Sequence, residues 1–393
     1  MDLNFSEEQT LLRASVERFV AERYDFATRR RIAALPARVD ESGWQAMAGF
    51  GWLALPLPEA HGGLAGSAVD VGIVAEGLGR GLVLEPYLSS VVLGGRLVQR
   101  LGTDAQCARW LPGLAEGRWR PVFAYLEAGQ VADAAPATVA VRTADGGWRL
   151  DGAKAMVFDA PAAHAFLVLV SVSASAGGAG GGAASAASPA VAVFVVPRGT
   201  AGVSETRFEL VDGRCASRLA FDGCVLPADA RLGGPDAPDA AATIAEALDH
   251  ATAALCAEAV GCMAVLLDAT VAYTKTRVQF GQPIATNQVL KHRMVDMATH
   301  CEEARAIALR AALRCDMPGL PAAERARAVS GAKLKIAQGA RFVGENAVQL
   351  HGAMGVTDEL NVGAYLKRLV AFEAIWGTTA EHLARSVALR RAA

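Results

Sequence analysis

The chain has 393 residues, of which 52% are hydrophobic, so it can bury a large core in two or three domains. With 38 Lys and Arg against 40 Asp and Glu, its net charge of −2 gives no basic surface of the kind that binds nucleic acid. No apolar run approaches the roughly 18 residues of a membrane helix, and the start lacks the features of a signal peptide. We therefore expect a cytoplasmic protein with no membrane span and no nucleic-acid partner.

The seven cysteines are odd in number and show no Cys-x-x-Cys spacing. This pattern is typical of reduced thiols in a core rather than of a disulfide framework. No metal site is predicted.

Residues 1–117 have the pattern of an N-terminal helical domain. Ser6 and Gln9 form a capping-box sequence, and apolar residues follow at helical spacing. Proline and glycine separate four further predicted helices, over 43–54, 68–78, 87–101 and 104–114.

Residues 118–235 have the pattern of a compact, β-barrel-like domain. Short runs rich in β-branched residues, such as AFLVLVSV and AVAVFVVP, alternate with turns. Within this domain, the Gly/Ala/Ser tract from Ala174 to Ala190 has nothing to bury, so we expect a mobile surface loop between strands.

Residues 236–393 return to long helices, which predict a C-terminal four-helix bundle. One helix carries an apolar stripe that includes Leu290, Met294 and Cys301. The other three are predicted over 249–277, 322–350 and 379–390. Helices, then strands, then helices make an α+β fold, and no GxGxxG follows a strand to suggest a Rossmann site.

Two segments carry a more specific signal. They are YTKTRVQFGQPIATNQVLKHRMVDM, from Tyr273 to Met297, and QLHGAMGVTDELNVGAYLKRL, from Gln349 to Leu369. Both resemble signatures of the acyl-CoA dehydrogenase family, and the resemblance extends over the whole chain. Arg277 and the nearby glycines suit a pyrophosphate, which needs a fork of donors and close backbone approach. Each residue alone could be a surface arginine or a loop glycine, but their order and spacing favour the family.

The resemblance implies an FAD cofactor that is shared between protomers, and therefore an oligomer. It assigns Arg277 and Gln288 to the FAD, Thr379 to the flavin, and four residues to the adenine and diphosphate end: Gln349, Leu350, Gly352 and Ala353. The stretches EPYLSSVVLGG and RFVGENAVQLHGAMG look most like the small subunit of pimeloyl-CoA dehydrogenase and its bacterial relatives, which often pairs with a homologous large subunit.

The family's catalytic base is absent from both of its known positions. Removal of an α proton from a thioester needs a carboxylate at Cα, yet the usual Tyr-Glu-Gly-Thr element has Gly377 in the place of its Glu. The alternative position, on the preceding long helix, is Ala251. Glu258 lies nearly two turns further along the same face and is a weak candidate base. The alternative for Glu258 is a buried carboxylate paired with an arginine or packed between subunits. Glu381 and His382 are weaker candidates.

The segments that meet the flavin ring and the CoA in the family also differ here. The family has a Thr-Glu-Pro-x-x-Gly-Ser-Asp element, and this chain has a stretch that begins Tyr125-Leu126-Glu127 in its place. The family's Trp-x-Thr element is also replaced, and its last residue is Phe158 here, which cannot donate a hydrogen bond. A CoA-contacting Arg is replaced by Thr252. Both CoA and a protein-bound pantetheine therefore stay open as the acyl carrier.

Three functions are compatible with these observations. The first is an FAD-dependent acyl-CoA or acyl-carrier-protein α,β-dehydrogenase that reduces an electron-transfer flavoprotein. The second is a catalytically silent subunit that completes the FAD site of an active homologue, in a heterotetramer rather than a homo-oligomer. The third is a flavin oxidase or monooxygenase of the same fold, which needs no α-proton base.

Overall fold

A computed structural model describes residues 5–129, 135–173 and 190–391. Helices occupy both ends of the chain and strands occupy the middle, so the predicted α+β fold is confirmed. The Gly/Ala/Ser tract lies outside the described residues except for Ala190. All seven cysteines are free, and six of them are buried, as predicted.

The N-terminal part is helical and begins with the predicted capping box. The Gln9 N–H donates to the Ser6 hydroxyl (3.2 Å), and the Ser6 N–H donates to the Gln9 side chain (3.1 Å). Residues Tyr87–Gly95 form a π-helix, so the first half of the helix predicted over 87–101 is more widely wound than expected. The α-helices are α1 (Glu7–Arg23), α2 (Phe26–Ala33), α3 (Glu41–Gly49), α4 (Ala68–Arg80), α5 (Arg96–Leu101) and α6 (Asp104–Ala115).

The middle part is one seven-stranded sheet. Its strands are β1 (Pro121–Ala124), β2 (Val139–Arg142), β3 (Trp148–Phe158), β4 (Ala165–Ser173), β5 (Val191–Pro197), β6 (Val203–Glu209) and β7 (Cys215–Leu226). Strands β1 and β2 both pair in parallel with β4, at its two ends, while β5 pairs with it antiparallel. From β2 the sheet continues through β3 and β7 to β6, all antiparallel.

The C-terminal part contains the four predicted long helices and one more. They are α7 (Ala241–Thr276), α8 (Gln288–Cys315), α9 (Ala322–His351), α10 (Val362–Phe372) and α11 (Thr379–Arg391). A short hairpin of β8 (Val278–Gln279) and β9 (Gln282–Pro283) joins α7 to α8. By length and composition α7 is apolar enough to cross a bilayer, but 67% of its most apolar stretch is buried inside the protein, as in a core helix.

The N-terminal helices and the bundle meet where α4 crosses α7 at two glycines. A Cβ on Gly79 would lie 2.1 Å from the Glu258 carbonyl oxygen, and a Cβ on Gly261 would lie 2.0 Å from the Glu76 carbonyl oxygen. The two backbones approach so closely that neither position has room for a side chain. The backbone of Glu258 is therefore packed directly against α4.

Glu85 is a buried carboxyl that ties three N-terminal segments together. It accepts hydrogen bonds from the Tyr24 hydroxyl and from the Asp40 N–H (3.1 Å). Burial raises its pKa from 4.5 to about 7. In the folded protein Glu85 therefore keeps its proton up to about neutral pH, whereas the unfolded chain releases it near pH 4.5.

We expect Glu85→Gln to flatten the dependence of stability on pH between 4.5 and 7. Because the pKa of Glu85 is raised in the folded state, the protonated carboxyl contributes its full stabilisation to the wild type below pH 4.5. This contribution is lost as the pH rises to 7. The loss from this one group is roughly 3 kcal/mol. Chemical denaturation at a series of pH values measures it. Glu59→Gln, at an exposed glutamate, is the control and should keep the wild-type slope; an unchanged slope in Glu85→Gln would contradict the assignment.

Candidate functional site

Most of the predicted cofactor residues gather at one end of the C-terminal bundle. The Tyr273 ring stacks on His351, with ring centroids 4.4 Å apart, which places the last turn of α7 beside the last turn of α9. Arg277 follows Tyr273 by one turn, and Gly352 follows His351 directly. The two sequence segments that carry the family resemblance therefore meet in space.

The Arg277 segment is a tight β-hairpin, which was not predicted from the sequence. Phe280 and Gly281 occupy its turn with φ values of 52° and 80°, the left-handed conformations that a type I′ turn needs at both positions. The Ile284 N–H donates to the Arg277 carbonyl (2.9 Å) and closes the base of the hairpin. The Arg277 side chain and the Phe280 ring are exposed at this end of the bundle.

A groove of about 250 Å³ lies next to this hairpin, between the start of α8 and the end of α9. It is lined by Val289, Leu290, Arg293, Gln349 and Leu350. Gln288 is the first residue of α8, and no side chain caps that helix start, so its first N–H groups are available to an anion.

These groups fit one end of FAD. A guanidinium, a carboxamide and free helix N–H groups suit a diphosphate, and leucine and valine side chains suit the face of an adenine. Ala353 follows Gly352 at the same end and is exposed.

Thr379 lies elsewhere in the bundle. It begins α11, and three residues later the His382 ring contacts Ser330 on α9 (Nδ1 to Oγ, 3.1 Å). Ser330 and Gln349 are 19 positions apart on α9, roughly 28 Å at 1.5 Å per residue. In one chain, Thr379 therefore lies far from Gln349 and the other residues that the resemblance assigns to the adenine end.

The turn that replaces the family's catalytic element is tightly packed. Gly377 has a φ of 111°, and a Cβ built on it would lie 2.9 Å from His382 Nε2. Thr378 caps α11, because its hydroxyl accepts from the Glu381 N–H (3.2 Å), while the Thr378 N–H donates to the Glu381 carboxylate (2.7 Å). The Glu381 carboxylate therefore serves as a helix cap, and the His382 ring fills the space in front of Gly377.

Glu258 is buried, and an arginine meets each of its carboxylate oxygens. Arg214, which directly precedes β7, donates to Oε1 (3.0 Å), and Arg368, from α10, donates to Oε2. Arg368 also donates to the Asp212 carboxylate (2.9 Å). The arginine-paired environment that we gave as the alternative for Glu258 is thus present.

The same cluster shifts the pKa values of its other members. Burial disfavours the charged form of Arg368, but Glu258 and Asp212 outweigh it and raise the pKa of Arg368 above its usual range. Burial also opposes the charged form of Asp212, yet Arg368 and Arg214 hold the pKa of Asp212 below its usual range. Arg29, on α2, donates to the Asp212 carbonyl (2.6 Å). The cluster therefore joins all three parts of the chain: ion pairs link the middle part to the bundle, and Arg29 links the N-terminal helices to the Asp212 backbone.

The two segments expected at the flavin ring lie side by side in the sheet. Leu126 forms an antiparallel bridge with Met156, and the Ala155 N–H donates to the Leu126 carbonyl (2.8 Å). Glu127 faces inward, where it accepts hydrogen bonds from Lys154 and from Thr138. Leu126 and Phe158 offer no side-chain donor. The family's hydrogen bonds from these two side chains to a flavin ring cannot form here.

Comparison with known proteins identifies the family. Residues 6–118 match the model "Acyl-CoA dehydrogenase, N-terminal domain", and residues 241–390 match "Acyl-CoA dehydrogenase, C-terminal domain". Acyl-CoA dehydrogenase FadE12 of Mycobacterium tuberculosis is 30% identical over 327 residues, which cover 82% of this chain and 81% of that protein. The chain belongs to the acyl-CoA dehydrogenase family. The family's members are flavoproteins and oxidoreductases that act on CH–CH groups, and the fold agrees with this assignment.

Two further relatives show how widely the family varies. The L-prolyl-[peptidyl-carrier protein] dehydrogenase of a Serratia strain is 25% identical over 405 residues, which cover 99% of each chain. The ChsE4-ChsE5 complex from Mycobacterium tuberculosis superimposes with a TM-score of 0.85 at 25% identity, over 100% of this chain and 99% of that chain.

Proposed function

We propose that this acyl-CoA dehydrogenase homologue is a flavin-binding subunit that lacks its own base and works with a homologous large subunit. The observation that carries this proposal is the turn at Gly377. At the position of the family's carboxylate the backbone favours glycine, and His382 occupies the space that a side chain would need.

In this proposal the chain holds the adenine and diphosphate end of an FAD. Arg277 and Arg293 supply positive charge, Gln349 supplies an amide, and the Gly352 backbone allows close approach. The FAD, when bound, accepts the hydride that leaves the β carbon of an acyl thioester. Because arginines hold both carboxylate oxygens of Glu258, we assign removal of the α proton to the partner subunit.

Exposed apolar side chains around the groove support contact with a second chain. Val278, Phe280, Val289 and Val356 are each at least half exposed. Apolar surface of this kind beside a ligand groove is typical of a protein interface. The similarity to the ChsE4-ChsE5 complex supports a heteromeric partner over a homo-oligomer.

The remaining parts of the proposal concern the thioester and the electron acceptor. FadE12 is named for acyl-CoA and the Serratia relative for a peptidyl carrier protein, so we propose an acyl thioester of CoA or of a carrier protein. Electrons would pass to an electron-transfer flavoprotein, and the complex would work in the cytoplasm.

A visible absorption spectrum tests the proposed function. The chain is purified alone and with a candidate large subunit, and acyl-CoAs are added without oxygen. Flavin that bleaches only in the presence of the partner supports the proposal. Bleaching in the chain alone would overturn it and show that this chain removes the proton itself. Rapid reaction of the flavin with oxygen, with no acyl substrate, would indicate an oxidase instead.

We expect Arg277→Ala to weaken FAD binding about tenfold or more, because a charge-assisted hydrogen bond to phosphate is lost. Flavin absorbance per protein, followed by titration with FAD, measures the change. Arg310→Ala is the matched control, since Arg310 is exposed further along α8 and more than 20 positions from Gln288. Equal occupancy in both variants would contradict the assignment of Arg277.

A further inference from the structure

The loop between α10 and α11, residues 373–378, is held by buried side chains from α9 and α11. Lys333 Nζ donates to the Phe372 carbonyl at the end of α10 and to the Ile375 carbonyl (2.8 Å). His382 Nε2 lies 3.2 Å from the Trp376 carbonyl. Three backbone carbonyls within five residues are thus bound by two basic side chains.

Lys333 has the environment of a buried ammonium ion rather than that of a surface lysine. Its side chain is completely buried, and Nζ lies 3.9 Å from the centre of the Phe372 ring. Two carbonyls and an aromatic face therefore surround the three N–H donors. The end of a helix is also its negative pole, and its last carbonyls have no partner within the helix, so a cation is favoured there.

His382 and Ser330 complete the arrangement. A carbonyl only accepts, so His382 Nε2 must carry the proton, and Nδ1 then accepts from the Ser330 hydroxyl (3.1 Å). Burial lowers the pKa of His382 to about 4, so the ring is neutral at physiological pH. Ser330 and Lys333 are three positions apart on α9 and lie on one face of that helix.

We propose that Lys333 is a positioning residue that fixes the loop from Phe372 to Thr379, and with it the place at which this chain meets a flavin ring. The loop contains Gly377 and ends at Thr379, the residue that the family resemblance assigns to the flavin. The consequence for flavin rests on the proposed function, whereas the attachment of the loop to Lys333 does not.

Hydrogen–deuterium exchange of the full chain without flavin tests the attachment directly. In Lys333→Met, which keeps the stem and removes the donors, we expect amides of residues 373–378 to exchange about tenfold faster or more, while other peptides change little. Lys335→Met is the matched control, because Lys335 is on the same helix but pairs with Glu303 at the surface (2.9 Å). Wild-type protection of the loop in Lys333→Met would overturn the proposal.

The wild type provides a second test, which stands even if Lys333→Met does not fold. Burial lowers the pKa of Lys333 to about 7. The groups that face it are Cys256 and Glu258 on α7, Arg368 and Glu373 in and after α10, and His382 on α11.

Loop protection, corrected for intrinsic exchange and taken relative to that of the other peptides, should be several-fold greater at about pH 5.5 than at about pH 8.5, because a charged donor binds carbonyls more strongly. The comparison with other peptides removes the global loss of stability that the titration of Glu85 causes over the same range. Over that range His382, at about 4, and Cys256, at about 12, do not titrate. Equal protection at both pH values would contradict a role for the charge. Neither test uses flavin, so either can fail while the flavin spectrum still supports the proposed function.

Discussion

Glu258→Gln is expected to lower the free energy of unfolding by about 3–5 kcal/mol, a large fraction of the stability of an ordinary domain. The change removes the negative charge between Arg368 and Arg214 and keeps the shape of the side chain. Both guanidinium groups are almost fully buried, so they cannot recover the lost interaction from water. Chemical denaturation of the two proteins measures the difference.

Glu345→Gln is the matched control for this experiment. Glu345 pairs with Arg341 four positions earlier on α9, and both side chains are more than half exposed. The same substitution there should cost no more than about 0.5 kcal/mol, because water screens an exposed pair.

The same variant separates a structural role of Glu258 from a catalytic one. A stability loss below about 1 kcal/mol, together with loss of dehydrogenation in a complex that retains flavin, would show that Glu258 is the base after all. A large stability loss, with any residual turnover per folded complex unchanged, is the result that the ion pairs lead us to expect.

Local patterns in the sequence predicted most of the helices but not how the domains join. A capping box marks the start of α1, and a stripe of apolar residues marks α8, because each signal lies within one element. The eight-residue α2 was missed, since a helix of two turns carries little periodicity. The charged cluster of Asp212, Glu258 and Arg368 could not be predicted, because its members come from distant segments that meet only in the folded chain.

The candidate site was also predicted only in part. The resemblance selected Arg277 and Gln349, and the structure brings their two segments together. The hairpin was missed because Phe280 and Gly281 lack the Asn-Gly pattern that usually marks a type I′ turn. The absence of a carboxylate at Gly377 was clear from the sequence, but the His382 ring in its place was not. Whether a position could accept a new side chain depends on neighbours that only the fold supplies.

Gly377→Glu is therefore expected to destabilise the protein rather than to install a base. A non-glycine residue at a φ of 111° carries backbone strain of about 1–3 kcal/mol. In addition, its Cβ would lie 2.9 Å from His382 Nε2, so the ring must move and release the Trp376 carbonyl. We expect a lower melting temperature and no bleaching of flavin by acyl-CoAs.

Two controls separate strain from the clash with His382. Gly234→Glu places the same side chain at a φ of 88° with no atom within 4 Å of the new Cβ, so it measures the cost of a positive φ without a clash. Combining Gly377→Glu with His382→Ala removes the clash, so the double variant should lose less stability than the sum of the two single variants. If Gly377→Glu instead folds like the wild type and bleaches flavin when acyl-CoA is added, His382 does not close this position. The missing carboxylate would then be the reason that the wild-type chain does not dehydrogenate acyl-CoAs by itself.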